Sequence, residues 1–160
     1  MVENKLQFAE NEKQREEYLN TCKRLTAKNV RKEYNNILLL GVTGFLGSNL
    51  FKEIYTNSNS NIYLIIRSNT KEDAQNRFLQ RIGTIYSDID KEDYGKRVKI
   101  LCGDLCKDKL GLTDQEYMLL AQNIDCIINA AANVKHYGKY QDFYKANVIS
   151  VKNLIEIAKI

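Results

Sequence analysis

Proline is absent from the 160-residue chain, where average usage of about 5% would supply about eight. Pro-rich linkers are therefore excluded. No apolar run approaches the roughly 18 residues that a membrane-spanning helix needs. Met1 to Asn20 is dominated by Glu, Lys, Gln and Asn and has none of the apolar core of a secretory signal. A cytoplasmic chain that does not span a membrane is expected. The four cysteines, Cys22, Cys102, Cys106 and Cys126, form no CxxC pair, and the one histidine, His136, completes no cluster with them. A structural zinc site needs four such ligands, so no metal is expected. The 24 basic and 20 acidic residues give a net charge of +4 but are interspersed. No block resembles a nucleic-acid tail, and no nucleic-acid partner is expected.

What the chain does have is the composition of a globular protein, 44% hydrophobic and 28% charged, at a length that suits one core. Residues 1–34 are highly charged, with Leu19, Cys22, Leu25 and Val30 thinly spaced, which predicts a solvated helical linker ahead of a domain over 35–160. From Ile37 four short runs rich in Ile, Leu or Val follow: Ile37 to Leu40, Ile62 to Ile66, Val98 to Leu101, and Ile124 to Ile128. Each reads as a strand. Between them the period is helical, with Leu46, Leu50 and Ile54 on one face and Ala74, Phe78, Ile82 and Ile85 on another.

Thr113 and Glu116 form a T-x-x-E capping box opening a helix to about Asn123. A last helix from about Asp142 to Lys159 would face Phe143, Asn147, Val151, Leu154 and Ala158 inward, and the polar stretch from Tyr86 to Arg97 reads as a surface loop. The order βαβαβαβα predicts an α/β fold, a doubly wound parallel sheet. Lys99 interrupts the third strand alone, which places it at the edge and gives the order 3-2-1-4.

The most informative segment is Leu38 to Leu50, where a strand runs into three glycines spaced GxxGxxG and then into an amphipathic helix. Gly41 lets the chain turn sharply, Gly44 lets backbone approach a pyrophosphate, and Gly47 lets the helix pack against the sheet. Amides near Gly44 to Leu46 would face the phosphates at the positive end of the helix dipole. Thr43 and Phe45 complete the candidate cofactor-binding turn. The string Gly-Val-Thr-Gly-Phe-Leu-Gly resembles the thioester reductase branch of the extended short-chain dehydrogenase/reductases. That branch includes terminal reductase domains of nonribosomal peptide synthetases and carboxylic acid reductases. Leu40 stands where members often place Thr, a mild departure.

The resemblance implies a Rossmann domain that binds NADPH and, in the complete enzyme, reduces an acyl thioester held on a carrier protein or CoA to an aldehyde or alcohol. Arg67 follows the second strand, where an NAD site would want an acid and an NADP site a cation beside the 2′-phosphate. The resemblance makes Arg77 a second 2′-phosphate ligand, although a helix here would carry charges anyway. It also puts Asp104 near the adenine amino group and Leu105 against the ring, while Asp104 as a plain turn cap remains the alternative. The small run Asn129, Ala130, Ala131 and Ala132 at the end of the fourth strand would let the cofactor lie against backbone. Asn147 matches a helix asparagine of the superfamily's active-site water network, or is a plain inward-facing residue. His136 reads as a loop residue, since no carboxylate partner is placed near it in sequence.

The family's Y-x-x-x-K pair is missing: none of the ten tyrosines has a lysine four places on, so no catalytic residue is assigned. The resemblance covers about residues 35–160, the first part of such a reductase domain. The expectation is an incomplete Rossmann sheet in a truncated chain that does not reduce thioesters alone and that self-associates through the exposed edge of strand four. Two alternatives stand beside this reading: another extended reductase, such as a sugar-nucleotide epimerase or dehydratase, and a non-catalytic NADP-binding regulatory module.

Overall fold

In the computed structural model the described residues are 33–86 and 94–160, with Glu12, Glu16 and Asn20 ahead of them. Those three are helical and exposed; the reading placed on Leu19, Cys22, Leu25 and Val30 lies outside the described residues. The chain divides into two compact units, Met1–Glu33 and Tyr34–Ile160. The second unit is built on four strands: β1 (Asn36–Leu40), β2 (Asn61–Ile66), β3 (Val98–Cys102) and β4 (Cys126–Asn129). All pair in parallel, in the order β3-β2-β1-β4. The expected doubly wound sheet is the one observed.

Alternation along β1 explains the layers, because successive side chains leave opposite faces of a strand. Leu39 joins Phe51, Leu64, Ala74, Phe78 and Ile82 on one face; Leu38 and Leu40 join Tyr63, Tyr117, Leu120, Leu154 and Ile157 on the other. The first face is covered by α1 (Phe45–Asn57), α2 (Lys71–Ile85) and the single turn α3 (Tyr94–Arg97). The second is covered by α4 (Asp114–Asn123) and by the C-terminal helix. An aromatic knot of Phe51, Tyr55, Phe78 and Tyr94, with ring centroids 5.1–6.2 Å apart, fills the first core. Such pairs add about 0.5–1.5 kcal/mol beyond area burial.

Three local expectations are corrected. In α1 the buried residues are Gly47, Ser48 and Phe51; Leu50 and Ile54 are only partly buried and Leu46 is exposed, because the close approach of Gly47 to the preceding turn rotates the helix. The stretch from Tyr86 to Arg97 is not all surface loop: Tyr86 is buried, and α3 carries Tyr94 into the aromatic knot. The C-terminal helix is interrupted, with α5 (Tyr140–Tyr144), a π-helical turn (Lys145–Ile149) and α6 (Ser150–Ile157). The wider turn shifts the register, so Ser150, Leu154 and Ile157 are buried while Val151 and Ala158 are exposed.

The capping box of α4 is as expected, with Thr113 accepting from the Glu116 amide and the Glu116 side chain accepting from the Thr113 amide. Among the described residues no helix is long and apolar enough to cross a membrane, and no group of three or more metal-ligating side chains occurs.

Candidate functional site

Strand register determines what meets at the carboxyl edge of the sheet. Leu40 pairs with Ile65 and Asn129, and Ile66 with Cys102. Gly41, Arg67, Gly103 and Ala130, which follow the four strands, therefore emerge along one edge. The strand order reverses between β1 and β4, the place where open α/β sheets leave a crevice.

The glycine turn is held by its own backbone, since the Gly44 amide donates to the Gly41 carbonyl at 2.9 Å. Gly41 has φ of +79°, and a Cβ there would stand 2.6 Å from the Ala130 carbonyl carbon and oxygen. Two constraints thus demand glycine, the left-handed backbone and the end of β4. A Cβ on Gly47 would lie 2.1 Å from the Gly41 carbonyl oxygen. The third glycine therefore fits the helix against the turn itself rather than against the sheet behind it.

Helix α1 begins at this turn without a side-chain cap and without an acid in its first turn. By contrast, Thr70 caps α2 by accepting from the Asp73 amide, and α4 has its capping box. Orphan amides at a helix start carry partial positive charge and suit an anion. Phe45 and Leu46, at the same point, are 81% and 60% exposed. Ser48 and Asn49 both donate their side-chain hydrogens to the Phe45 carbonyl, fixing that first turn.

At the ends of β2 and β3, a cavity of about 810 Å³ is lined by Arg67, Ser68, Asn69 and Gly103, by Asp104 with Lys107 and Gly111, and by Asp73, Asn76, Arg77 and Gln80 of α2 with Cys102 of β3. Its volume lies within the range of small-molecule sites. The Arg77 guanidinium donates to the Arg67 backbone carbonyl, which ties α2 to the end of β2. A second cavity, about 290 Å³, is lined by Thr43, Arg77, Gln80, Arg81 and Thr84.

The loop after β3 holds Asp104. Its amide donates to the Leu110 carbonyl at 2.8 Å, and its carboxylate accepts from the Cys106 amide at 3.0 Å. The carboxyl thus caps its turn while also lining the larger cavity. Lys109 and Leu110 have φ of +48° and +59°, left-handed conformations that cost a non-glycine residue roughly 1–2 kcal/mol each. Leu110 is fully buried in the second core, which holds the turn in place. Burial, with the Asp104 carboxylate second, pushes the Cys106 thiol above its usual range.

Arg67, Arg77 and Asp104 are therefore gathered around one cavity, Thr43 and Arg77 around the other, and Gly41 against Ala130 and Ala131. The remaining candidates lie apart from the two cavities. Leu105 packs against the second core. Asn129 turns its side chain back to accept from the Ala131 amide, and Ala132 is exposed. Asn147, in the π-helical turn, accepts from the Asn133 amide at 2.7 Å and donates to the Asn133 carbonyl at 3.0 Å. Val134 and His136 are exposed. Of the three described cysteines, all half-buried, Cys102 lies within reach of the Ser68 hydroxyl at 3.1 Å. Sequence reasoning did not reach Gln80 and Arg81. Their signal was the i+3 and i+4 spacing from Arg77 on one helix.

A parallel sheet with a GxxGxxG turn at its switch point, an uncapped helix start and flanking arginines defines a doubly wound dinucleotide-binding domain of the short-chain reductase class. Within that class the chain belongs to the NAD-binding family described as Male sterility protein, whose model matches residues 39–160. Similar curated proteins include the L-2-aminoadipate reductase large subunit of Candida glabrata, 35% identical over 127 residues, covering 77% of this chain and 9% of that one. The L-2-aminoadipate reductase of Saccharomyces cerevisiae is 33% identical over 129 residues, covering 78% and 9%.

Among solved structures, the terminal R domain of the myxalamid PKS-NRPS pathway superposes with a TM-score of 0.71 at 31% identity, over 81% of this chain and 33% of that one. A thiolation-reductase di-domain from an archaeal nonribosomal peptide synthetase gives 0.67 at 30% identity, over 79% and 26%. The chain thus spans about a tenth of the curated relatives' length.

Proposed function

We propose that this chain is the NADPH-binding part of a cytoplasmic thioester reductase whose substrate is an acyl group held as a thioester on a carrier protein or CoA. The observation that carries the reading is the uncapped start of α1, with no acid in its first turn, and Thr43 of the glycine turn sharing the smaller cavity with Arg77, which is itself bonded to Arg67. In this reading the amides of Phe45 and Leu46 hold the pyrophosphate, the Gly44 amide being spent on the Gly41 carbonyl, and Arg67 and Arg77 meet the 2′-phosphate. Asp104 addresses the adenine, and Asn129 to Ala132 lie beside the ribose and nicotinamide. NADPH, when bound, would supply a hydride to the thioester carbonyl, the C–S bond breaking to release the aldehyde and the carrier or CoA thiol, and a second hydride with a proton would give the alcohol.

The reading draws on the similarity to aminoadipate reductases and synthetase reductase domains, and the thiolation-reductase neighbour supports a carrier-bound substrate. Residues 1–34 would form the junction with an upstream carrier. Strand β4 pairs only with β1 among the described residues, and its free edge would favour self-association. A monodisperse monomer by light scattering would count against that last part.

The test is a pair of fluorescence titrations with NADPH and NADH. A charge-assisted hydrogen bond contributes about 1.5–3 kcal/mol, so NADPH should bind about 10- to 150-fold more tightly, and Arg67→Ala should reduce that preference. Equal affinities for the two cofactors would remove the NADPH reading and leave the dinucleotide site.

A further inference from the structure

The loop after β3 is held from the C-terminal helix as well as by its own backbone. Asn153, half-buried on α6, donates its side-chain amide hydrogens to that loop, to the Leu105 carbonyl at 2.8 Å and to the Lys107 carbonyl at 2.9 Å. Leu154, the next residue, is buried in the second core, which fixes the helix that carries Asn153.

The first of these bonds reaches the cavity through a single rigid group. The Leu105 carbonyl and the Cys106 N–H belong to one planar peptide unit, and the Cys106 amide donates to Asp104 Oδ1 at 3.0 Å. Asn153 therefore sets the tilt of the peptide whose other side holds the Asp104 carboxylate. Donation onto the Leu105 oxygen also polarises that peptide, which makes the Cys106 N–H the stronger donor. A second tie runs to the same helical region, from the Cys106 thiol to the Lys145 carbonyl at 3.4 Å.

The loop has need of such ties. Lys109, Leu110 and Gly111 follow one another with φ of +48°, +59° and +68°, left-handed backbone that the two non-glycine residues resist. The Lys107 carbonyl that takes the other Asn153 bond also accepts from the Leu110 amide at 3.1 Å, so Asn153 braces the strained turn at its base.

We propose that Asn153 is a positioning residue for the adenine end of the cofactor: through the Leu105–Cys106 peptide it turns the Asp104 carboxylate so that Oδ2 meets the adenine amino group in the larger cavity. This role rests on the reading that Asp104 addresses the adenine, and the experiment tells the two apart. Calorimetric titrations of the full chain with 5′-AMP and with purine riboside 5′-monophosphate, which lacks only the amino group, isolate the Asp104 contact. The wild-type protein should prefer 5′-AMP by about tenfold or more. Asn153→Ala should weaken 5′-AMP at least about fivefold while holding the amino-free nucleotide within about twofold.

If the wild-type protein prefers 5′-AMP and Asn153→Ala keeps that preference, whether by weakening both ligands equally or neither, the role of Asn153 is overturned and the adenine reading stands. If the wild-type protein binds both nucleotides equally, both fall. A readout in the unmutated chain makes the test independent of the variant's folding, because coupling between two contacts is reciprocal. The Asn153 side-chain amide resonances, assigned by ¹⁵N NMR, should shift further on addition of 5′-AMP than of the amino-free nucleotide. Asn153 resonances that 5′-AMP leaves in place overturn the proposal.

Discussion

The Asn147 side chain grips the backbone of Asn133 at both ends, accepting from its amide and donating to its carbonyl. The π-helical turn that carries Asn147 thereby fixes the loop leaving β4, the strand whose end lies against Gly41. Asn147→Ala should remove both bonds at a cost of about 1–3 kcal/mol, at roughly 0.5–1.5 kcal/mol per bond. Hydrogen exchange at the Asn133 amide should accelerate more than exchange in β1. Asn147→Asp keeps the acceptor and loses the donor, so Asn133 exchange should stay slower than in the alanine variant.

Gly41→Ala meets two obstacles together, a φ of +79° and a Cβ 2.6 Å from the Ala130 backbone. The expected loss is about 2–5 kcal/mol in denaturant unfolding, combining left-handed strain with overpacking. Nicotinamide cofactor affinity should fall in parallel, because the turn and the end of β4 have to separate.

The capping box gives a pH signature. Hydrogen bonds from the Thr113 backbone and side chain hold the Glu116 carboxyl below its ordinary value of 4.5. A depressed carboxylate contributes stability that is present above its unfolded value and is lost as pH falls through the folded one. Wild-type stability should therefore decline more steeply below about pH 4.5 than that of Glu116→Gln. Thr113→Ala should cost about 1 kcal/mol at neutral pH. Melts across an acid series read both.

Phe51 is fully buried and touches Tyr55, Phe78 and Tyr94. Phe51→Ala should cost about 3–5 kcal/mol, while Leu46→Ala, at an exposed position of the same helix, should cost under about 0.5 kcal/mol. Chemical denaturation of the two variants checks the contrast.

Asp104 raises the Cys106 thiol above its usual range, after the larger effect of burial. Asp104→Asn should bring the thiol down and speed its alkylation, since the thiolate is the reactive form. Peptide-resolved labelling with iodoacetamide at pH 8 should show the gain at Cys106. An unchanged rate would leave burial as the whole cause.

The sheet was legible because each strand is a short apolar run and Lys99, interrupting the third, marks the edge strand. The glycine turn was legible because its geometry is local: Gly41 needs its backbone conformation whatever surrounds it. What escaped the sequence depends on contacts between elements. Arg81 looks like any helix charge until the rotation of α2 buries its Nε. The segment Lys-Ala-Asn-Val-Ile contains no glycine or proline to announce a π-helical turn, so Leu154 was placed inward correctly while Val151 and Ala158 were drawn where Ser150 and Ile157 are buried. Lys109 and Leu110 adopt left-handed backbone that their side chains would not suggest, held there by the burial of Leu110 and its bond to Asp104.

The two cores draw on very different lengths of chain. The buried members of the first all lie between Leu39 and Val98, whereas the second needs Leu154 and Ile157 to meet Leu38 and Leu40. Loop-closure entropy grows with the separation of the contacting residues. The glycine turn is built on the face that closes over the shorter span, so its scaffold of β1, α1, β2 and α2 is expected to condense ahead of the face that waits for the C-terminal helix.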